Sequence, residues 1–357
     1  MIRIGIIGTG FGAKVHLPGF QTIKEAEVFG IAGSDWKKTS EIAEEKKVEI
    51  AFKSWQELIA SPKIDAVSIT APPYLHFKMA LTALKNGKHV LCEKQLAMNA
   101  KEARQMAELA DKSRLINMVN FEFKNIPHWI YMKDLLQKNH LGRISRININ
   151  WITGGRANSK LPFLWQNENK FGGGALFAYG SHMIDYIEWF FGPVEKVFGK
   201  LSILKHKVSG KTPTAEDTCD ILMKLKNGAL VNMITSNVIV NGCGHRIEVY
   251  GEKGSLKLRN TNLKDGIYGF ELLEWLTNQN QEKIIPLPGR YSKLTETYPD
   301  GRLEAFIKIA ERFIKAIKTK TPPSPSFKEG LRTQIIMDAI RKSDKLKKWI
   351  EINNPRF

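Results

Sequence analysis

The chain has 357 residues, a net charge of +18, and 43% hydrophobic and 25% charged side chains. This length favours about two domains with real hydrophobic cores, and no apolar run approaches the ~20 residues that span a bilayer. The first residues lack signal-peptide features, and the three cysteines and eight histidines show no disulfide or metal-ligand spacing. We therefore expect a cytoplasmic protein without a metal site and without membrane contact.

The excess of positive charge lies mostly in the second half of the chain. Such a half attracts an anionic substrate or nucleic acid, or it is simply a lysine-rich solvated surface. No helix-turn-helix, zinc finger or RNP-type aromatic strand accompanies the charge. We favour the surface interpretation and expect no nucleic-acid partner.

The chain opens on a buried-strand pattern at residues 2–7 that runs directly into a glycine-rich turn. The turn reads Gly8-Thr9-Gly10-Phe11-Gly12-Ala13 and fits the G-x-G-x-x-G/A pattern of dinucleotide-binding proteins. In that pattern Gly8 allows the tight turn, Gly10 lets the backbone approach a pyrophosphate, and Ala13 lets the next helix pack closely. The turn predicts a nucleotide cofactor; the alternative is an ordinary strand-to-helix turn.

Strand and helix patterns alternate over the first ~120 residues, which predicts βαβ units and a parallel sheet. The strand patterns are at 2–7, 28–32, 66–70, 90–92 and 116–119, and the helix patterns at 39–46, 77–86 and 100–110.

After that, alternating runs lie close together, which favours a mixed or antiparallel sheet. They are at 144–151, 197–205, 217–226, 230–240, 247–250 and 270–276, with helices at 130–137, 175–191, 303–318 and 328–342. We predict an α/β protein with a Rossmann dinucleotide-binding domain at 1–121. An α+β substrate-binding and oligomerisation domain at 122–357 follows, with an open, mostly antiparallel sheet. Packing of the last helix on the first domain stays open.

Five stretches make the chain resemble the glucose–fructose oxidoreductase and inositol dehydrogenase (Gfo/Idh/MocA) family from end to end. They are Gly8–Ala13; Thr70-Ala71-Pro72-Pro73 with His76; Gly87–Lys94; Gly172–Gly174 through Gly180-Ser181-His182 to Asp185; and Pro323–Phe327. The resemblance implies an NAD(P)-dependent oxidoreductase acting on a sugar, polyol or nucleotide sugar. It also implies a homodimer or homotetramer.

The family's catalytic lysine falls on Lys94, but the proline that follows it in the Glu-Lys-Pro motif is Gln95 here. The family's Asp-x-x-x-His pair falls on Ala178 and His182, so the histidine is kept and the aspartate is lost. If relatives use a cis Lys-Pro bond, this chain has a trans bond there or carries strain, because a cis bond without proline costs ~2.5–4 kcal/mol.

Oxidation of a secondary alcohol needs a base for the hydroxyl proton and a donor for the developing carbonyl oxygen. Lys94 fits the donor, with a proton-relay role if its pKa is depressed, and His182 fits the base. The alternatives are an exposed lysine and a helix histidine at the domain junction.

The resemblance assigns cofactor contacts to Thr70, Ala71, Pro72, His76 and Glu93. Glu93 binds a ribose in this reading; the alternative is a loop-surface acid. After the second strand pattern, Gly33-Ser34 stands where NAD-binding proteins have an acid, and Asp35 comes two residues late. Ser34 and Lys38, with Lys37, fit a 2′-phosphate, so we lean to NADP over NAD. A solvated helix end, and NAD bound through Asp35, are the alternatives.

Five further residues are candidates for substrate contact: Asn120 after the last Rossmann strand, Arg156 and Trp165 before the triple glycine, and Tyr179 and Asp185 beside His182. Interdomain packing is the alternative for the aromatic residues. A carbohydrate-like small molecule is the expected partner. Two other functions stay open: a non-catalytic nucleotide-binding or sensor protein, and a reductase of a C=N or C=C bond in a non-sugar substrate, for which an aspartate is dispensable.

Overall fold

A computed structural model of the protein describes residues 1–260, 267–291 and 300–353. The chain divides into two compact units. The first holds Met1–Glu122 and Tyr298–Gln334, and the second holds Phe123–Thr297 and Ile335–Phe357. None of the helices in the described ranges is long and apolar enough to cross a membrane.

The first unit contains a parallel sheet whose six strands, within the described residues, follow the order β3-β2-β1-β4-β5-β6. The strands are β1 (Ile2–Ile7), β2 (Ala26–Ala32), β3 (Ile50–Phe52), β4 (Ala66–Ile69), β5 (His89–Cys92) and β6 (Asn117–Val119). The inner strand β4 is buried along its whole length, as expected of a parallel sheet with both faces covered. The predicted Rossmann arrangement is therefore confirmed, with its order reversing between β1 and β4.

Three of the helices that connect these strands begin with a side chain that satisfies a free backbone amide. The helices of this part of the chain are α1 (Leu17–Gln21), α2 (Trp36–Glu45), α3 (Trp55–Ala60), α4 (Pro73–Lys85) and α5 (Ala100–Ser113). The side chains of Asp35, Ser54 and Asn99 each accept a hydrogen bond from an amide in the first turn of α2, α3 and α5. The sequence patterns did not reveal β3 or α3, because these elements have only 3 and 6 residues, too few for a clear periodicity.

The second unit contains two helices, α6 (Pro127–Gln137) and α7 (Ser181–Phe191), and a larger sheet. The nine described strands follow the order β14-β13-β12-β11-β7-β10-β9-β8-β15, and only β7 and β10 are parallel neighbours. The strands are β7 (Ile144–Ile152), β8 (Val194–Ser202), β9 (Thr218–Leu225), β10 (Leu230–Ser236), β11 (Gly244–Gly251), β12 (Gly254–Asn260), β13 (Glu271–Leu276), β14 (Lys283–Ile284) and β15 (Ile350–Glu351). The mostly antiparallel sheet is confirmed, and the sequence patterns missed its strands β12, β14 and β15.

Two long helices complete the chain: α8 (Arg302–Thr319) and α9 (Phe327–Leu346). The apolar face of α8 lies in the core of the first unit, together with residues of β1, β2 and α1. Phe306 is fully buried there, stacks on the His16 ring at 3.9 Å and meets Phe20 edge-on at 5.5 Å. A helix that comes ~180 residues after the sheet therefore helps to build the core behind the glycine-rich turn.

We expect Phe306→Ala to lower the free energy of unfolding of the first unit by about 3–5 kcal/mol, because it leaves a cavity in a packed core. Tyr74→Ala, in the same unit but 42% exposed, serves as the control and should change it by less than about 1 kcal/mol. Equilibrium denaturation measures both, and equal effects would contradict the assigned core.

Candidate active site

The glycine-rich turn has the geometry that a dinucleotide-binding loop requires. Gly8 has φ +124°, and a Cβ placed on it would lie 2.3 Å from Thr70 Oγ1. Gly10 is exposed, and a Cβ there would meet nothing within 4 Å. The backbone at Gly10 is thus open to a ligand, while Gly8 is required by the turn itself.

Close packing behind the turn is observed at Gly12, and Ala13 also packs against the core of the unit. A Cβ on Gly12 would lie 2.4 Å from Thr70 Oγ1, whereas Ala13 is half-buried. Thr70 donates a hydrogen bond to the Ile7 carbonyl oxygen at 2.8 Å, so it ties the end of β4 to the end of β1. Residues Gly12–His16 form a π-helical turn that leads into α1, a feature often found at functional sites.

Gly33, at the end of β2, is closely packed against two threonine side chains. A Cβ on Gly33 would lie 2.5 Å from Thr9 Cγ2 and 2.6 Å from Thr39 Oγ1. Asp35 is the N-cap of α2, where its carboxylate accepts a hydrogen bond from the Lys38 amide at 3.1 Å. The side chains of Ser34 and Lys38 are exposed beside it.

A buried polar network surrounds Glu93 at the carboxyl end of β5. Its Oε1 atom lies 2.9 Å from His16 Nε2 and accepts a bond of 2.6 Å from Asn120 Nδ2. Because a carboxylate only accepts, Nε2 of His16 is the donor, and the opposite ring nitrogen contacts the Ser68 hydroxyl at 2.7 Å. Burial alone would raise the pKa of Glu93, but the His16 bond, the nearby charges and the Asn120 bond lower it below its usual value.

Asn120, which the sequence suggested as a substrate contact, belongs to this network. Its side chain is fully buried, and its Oδ1 atom has no hydrogen-bond partner among the described residues. A buried acceptor without a donor is costly unless a ligand supplies one. Together with the open backbone at Gly10, this atom fits a bound dinucleotide at the same edge of the sheet.

Lys94 follows Glu93 directly, and the bond between Lys94 and Gln95 is cis. Burial is the main cause that lowers the pKa of Lys94, and the charge of Arg302 lowers it further, while Glu93 and Glu122 raise it. The lysine amine therefore loses its proton more readily than a solvated lysine does. This is the direction that a proton-relay role requires.

The His76 ring lies between the backbone of the lysine's loop and the backbone of the turn after β4. Its Nδ1 atom lies 2.8 Å from the Gln95 carbonyl oxygen, and its Nε2 atom lies 2.8 Å from the Ala71 carbonyl oxygen. Burial lowers the pKa of His76, against these two backbone contacts and the charge of Glu93. The ring thus connects the turn after β4, which contains Pro72, to the turn after β5.

Three charged groups of this site escaped the sequence patterns. Arg302 lies with its guanidinium 4.6 Å from the centre of the Phe11 ring and pairs with Asp300 at 2.6 Å. Asp300 also pairs with Lys14 at 3.1 Å, and the Arg302 bond holds the pKa of that carboxyl well below its usual range. The third is Glu122, which is 4% exposed. His16 was also not singled out from the sequence. Its position one turn after the glycine motif, in an apolar segment, is a pattern that could have indicated it.

In the second unit, His182 lies in the first turn of α7 and is 4% exposed. Its ring meets Phe123 edge-on at 4.8 Å and Trp151 at 6.3 Å. Ala178, where the family has an aspartate, is exposed one turn earlier. The histidine is therefore held by aromatic rings on its own unit.

Asp185, one turn further along α7, accepts a hydrogen bond from Lys124 at 2.7 Å. Tyr179 packs edge-on against Trp151 at 4.7 Å. Burial raises the pKa of Tyr179, against a hydrogen bond with Thr153 and the charge of Arg156. The second unit thus brings Tyr179 and His182 to Trp151, a residue that the sequence did not single out, and the charge of Arg156 acts on Tyr179.

Trp165 lies on a short helical turn that packs on the triple glycine. A Cβ on Gly173 would lie 2.8 Å from the Trp165 carbonyl oxygen and 2.4 Å from that of Gln166. Gly173 is therefore required for this close approach. Arg156 lines a cavity of about 30 Å³ with Gln166, Asn237 and other residues of the unit.

Comparison with known proteins agrees with this geometry. Residues 2–121 match the Gfo/Idh/MocA family model described as an oxidoreductase family with an NAD-binding Rossmann fold. Residues 133–352 match the model of that family's C-terminal alpha/beta domain.

An uncharacterized oxidoreductase of Synechocystis is 33% identical over 98% of this chain and 96% of its own length. The glucose-6-phosphate 3-dehydrogenase of Bacillus subtilis is 27% identical over 96% of this chain and 97% of its own length. A levoglucosan dehydrogenase, solved in complex with NADH and levoglucosan, superposes with a TM-score of 0.89 at 24% identity, over 99% of this chain and 100% of its own. The chain is therefore an oxidoreductase of the Gfo/Idh/MocA family, with an NAD-binding Rossmann fold.

Proposed function

We propose that the protein transfers a hydride between a nicotinamide cofactor and a carbon–oxygen bond of a sugar, a polyol or a nucleotide sugar. The observation that carries the proposal is the joint position of an open glycine-rich turn and the Glu93-Lys94 pair at the carboxyl edge of one sheet, where ligands bind in open α/β folds. The activities named for the Bacillus subtilis relative and for the levoglucosan dehydrogenase support a carbohydrate-like substrate.

In this proposal the backbone at Gly8–Ala13 holds the cofactor diphosphate, and Thr70, Ala71 and Pro72 border the same edge. Glu93 and Asn120 orient the nicotinamide end through their buried polar atoms. The bound cofactor supplies or takes the hydride. Lys94 donates a hydrogen bond to the substrate oxygen and carries its proton, and His182 is a second acid–base group.

We expect Lys94→Ala and His182→Ala each to slow oxidation of a substrate sugar by about 10²-fold or more, because each removes a positioned acid–base group. Absorbance of the reduced nicotinamide measures the rate over a panel of sugars and polyols. Lys101→Ala and His206→Ala, at exposed positions, are the matched controls. Near wild-type rates in both active-site variants would contradict the assignment.

Cofactor binding should survive His182→Ala, because the diphosphate contacts lie at Gly8–Ala13 of the first unit. Wild-type protein that binds dinucleotide and oxidises nothing in the panel would instead favour a sensor or a C=N or C=C reductase. These two alternatives are considered because Ala178 replaces the aspartate of the family.

We also propose NADP as the preferred cofactor. Neither Gly33 nor Ser34 is an acid, the Asp35 carboxylate caps α2, and Lys38 is exposed near Ser34. Lys38→Ala should weaken NADP binding by about tenfold, equivalent to ~1.4 kcal/mol, and leave NAD binding unchanged. Fluorescence quenching measures both, with Lys46→Ala at the far end of α2 as control. NAD binding at least about tenfold tighter, with no effect of Lys38→Ala, would overturn this preference.

We propose, finally, that two copies pair through the open face of the second sheet. Leu222 is 43% exposed there, and its cross-strand neighbours Asn232 and Phe198 share its face, opposite the buried Ile221 and Met223. An exposed apolar patch rimmed by polar residues is typical of a protein–protein interface. Leu222→Lys should shift the protein towards a monomer of 40.5 kDa in light scattering, and Leu346→Lys should not. A wild-type monomer at micromolar concentrations would refute the pairing.

A further inference from the structure

A small polar cavity lies between two loops of the second unit. It has a volume of about 30 Å³, and its lining comes from residues 156–167, from residues 205–217 and from the two residues after β10. Lys205 joins the two loops, because its Nζ atom donates to the carbonyl oxygens of Arg156 and Asn158, each at 2.6 Å. We call this space the loop cavity.

Two amide side chains that line the loop cavity each carry an unsatisfied oxygen. Asn237 is 7% exposed, and its Oδ1 atom has no hydrogen-bond partner among the described residues. The same holds for the buried Oε1 atom of Gln166. A buried carbonyl oxygen without a donor is unfavourable, and such atoms generally bind ordered water or a ligand. The two oxygens therefore indicate a small hydrogen-bond donor in the loop cavity.

The charges around the loop cavity argue against an ion. The lining contains two cations, Arg156 and Lys205. It also contains two acids, Glu216 and Asp217, so the formal charges cancel. The Asp217 carboxylate already accepts hydrogen bonds from the amides of Leu204 and Lys205, each at 2.9 Å. In the part of the chain that the structure describes, no group of three acidic, histidine or cysteine side chains could hold a metal ion. A neutral ligand is therefore favoured.

A hydroxyl group fits both the size and the chemistry of the loop cavity. One water molecule takes up ~30 Å³ in the liquid, which matches the volume of the cavity. A hydroxyl donates as well as accepts, so it can bind an amide side chain whichever end of the amide it meets. A buried water needs two to four polar partners, and the amides of Gln166 and Asn237 supply the first two.

We propose that the loop cavity is a hydroxyl-binding site formed by Gln166 and Asn237. A water molecule fills it in the free protein, and a hydroxyl of a carbohydrate ligand is the other source of the same group. The bound hydroxyl connects Asn237, just after β10, to Gln166, whose carbonyl oxygen accepts a bond of 3.2 Å from the Gly174 amide. The site thus holds the segment that leads into α7 and His182. Only the carbohydrate source rests on the function proposed above.

A high-resolution crystal structure of the wild-type protein tests the site directly. One peak of electron density should lie at hydrogen-bond distance, about 2.7–3.2 Å, from both side-chain amides. A second crystal, soaked in levoglucosan, distinguishes the sources: a sugar hydroxyl replaces the water, or the water stays. No density in the loop cavity of either crystal, or a peak that reaches only one amide, would overturn the proposal.

A double-mutant cycle tests the shared hydroxyl in solution. Gln166→Met and Asn237→Leu each leave the other amide with a poorer set of partners, whereas the double variant removes both polar groups. Its shift in denaturation midpoint should therefore be clearly smaller than the sum of the two single shifts. Gln166→Met combined with Asn278→Leu, at an exposed position of the same unit, should give additive shifts. Additive shifts for Gln166 and Asn237 would contradict a hydroxyl that binds both.

The carbohydrate source has a kinetic readout. If a substrate hydroxyl fills the loop cavity, Asn237→Leu should raise KM about tenfold and leave kcat close to that of the wild type, because the contact is equal in the ground and transition states. Asn278→Leu should change neither constant. An unchanged KM in Asn237→Leu would assign the site to water. Failure of every sugar as a substrate would count against the proposed function alone, because the crystal and the double-mutant cycle need no turnover.

Discussion

The first unit depends on one buried carboxylate. Glu93 lies at the end of β5. Its hydrogen bond with His16 connects it to the segment after the glycine-rich turn, and its hydrogen bond with Asn120 connects it to the end of β6. Phe306 of α8 stacks on the other side of the same histidine ring. Because a buried charge without hydrogen bonds is very unfavourable, these groups must occupy their places together. The fold and the candidate site are therefore stabilised by the same contacts.

This constraint also explains the electrostatics around Lys94. Burial, and after it the negative charge of Glu93, raise the pKa of Glu122, so Glu122 keeps its proton to higher pH than a solvated glutamate. Arg302 limits the accumulation of negative charge and at the same time disfavours the lysine ammonium. The site thus controls proton affinity through a few fixed charges in a place with little water, where their effects are large.

In the second unit, aromatic packing positions the candidate histidine. The His182 ring packs against the Phe123 ring. Nearby, Trp151 stacks on a second histidine, His245, at 4.3 Å. Burial lowers the pKa of His245 to about 3, so that ring stays neutral and serves as packing, with its Nε2 atom 2.9 Å from the Tyr186 hydroxyl. Lys124 pairs with Asp185, which lies on α7 with His182. Aromatic contact here fixes a polar ring, as hydrogen bonds do in the first unit.

The sequence by itself determined what depends on neighbours along the chain. The turn at Gly8–Ala13, the alternation of strands and helices, and Lys94 at a strand end are local patterns, since turn geometry and side-chain periodicity act over a few residues. Tertiary structure alone decided the rest. Glu122 becomes an unusual acid only when β6 pairs with β5 beside Glu93, and Arg302 reaches Phe11 from ~290 residues away in the chain. Burial and charge act through space, and no spacing along the sequence encodes them.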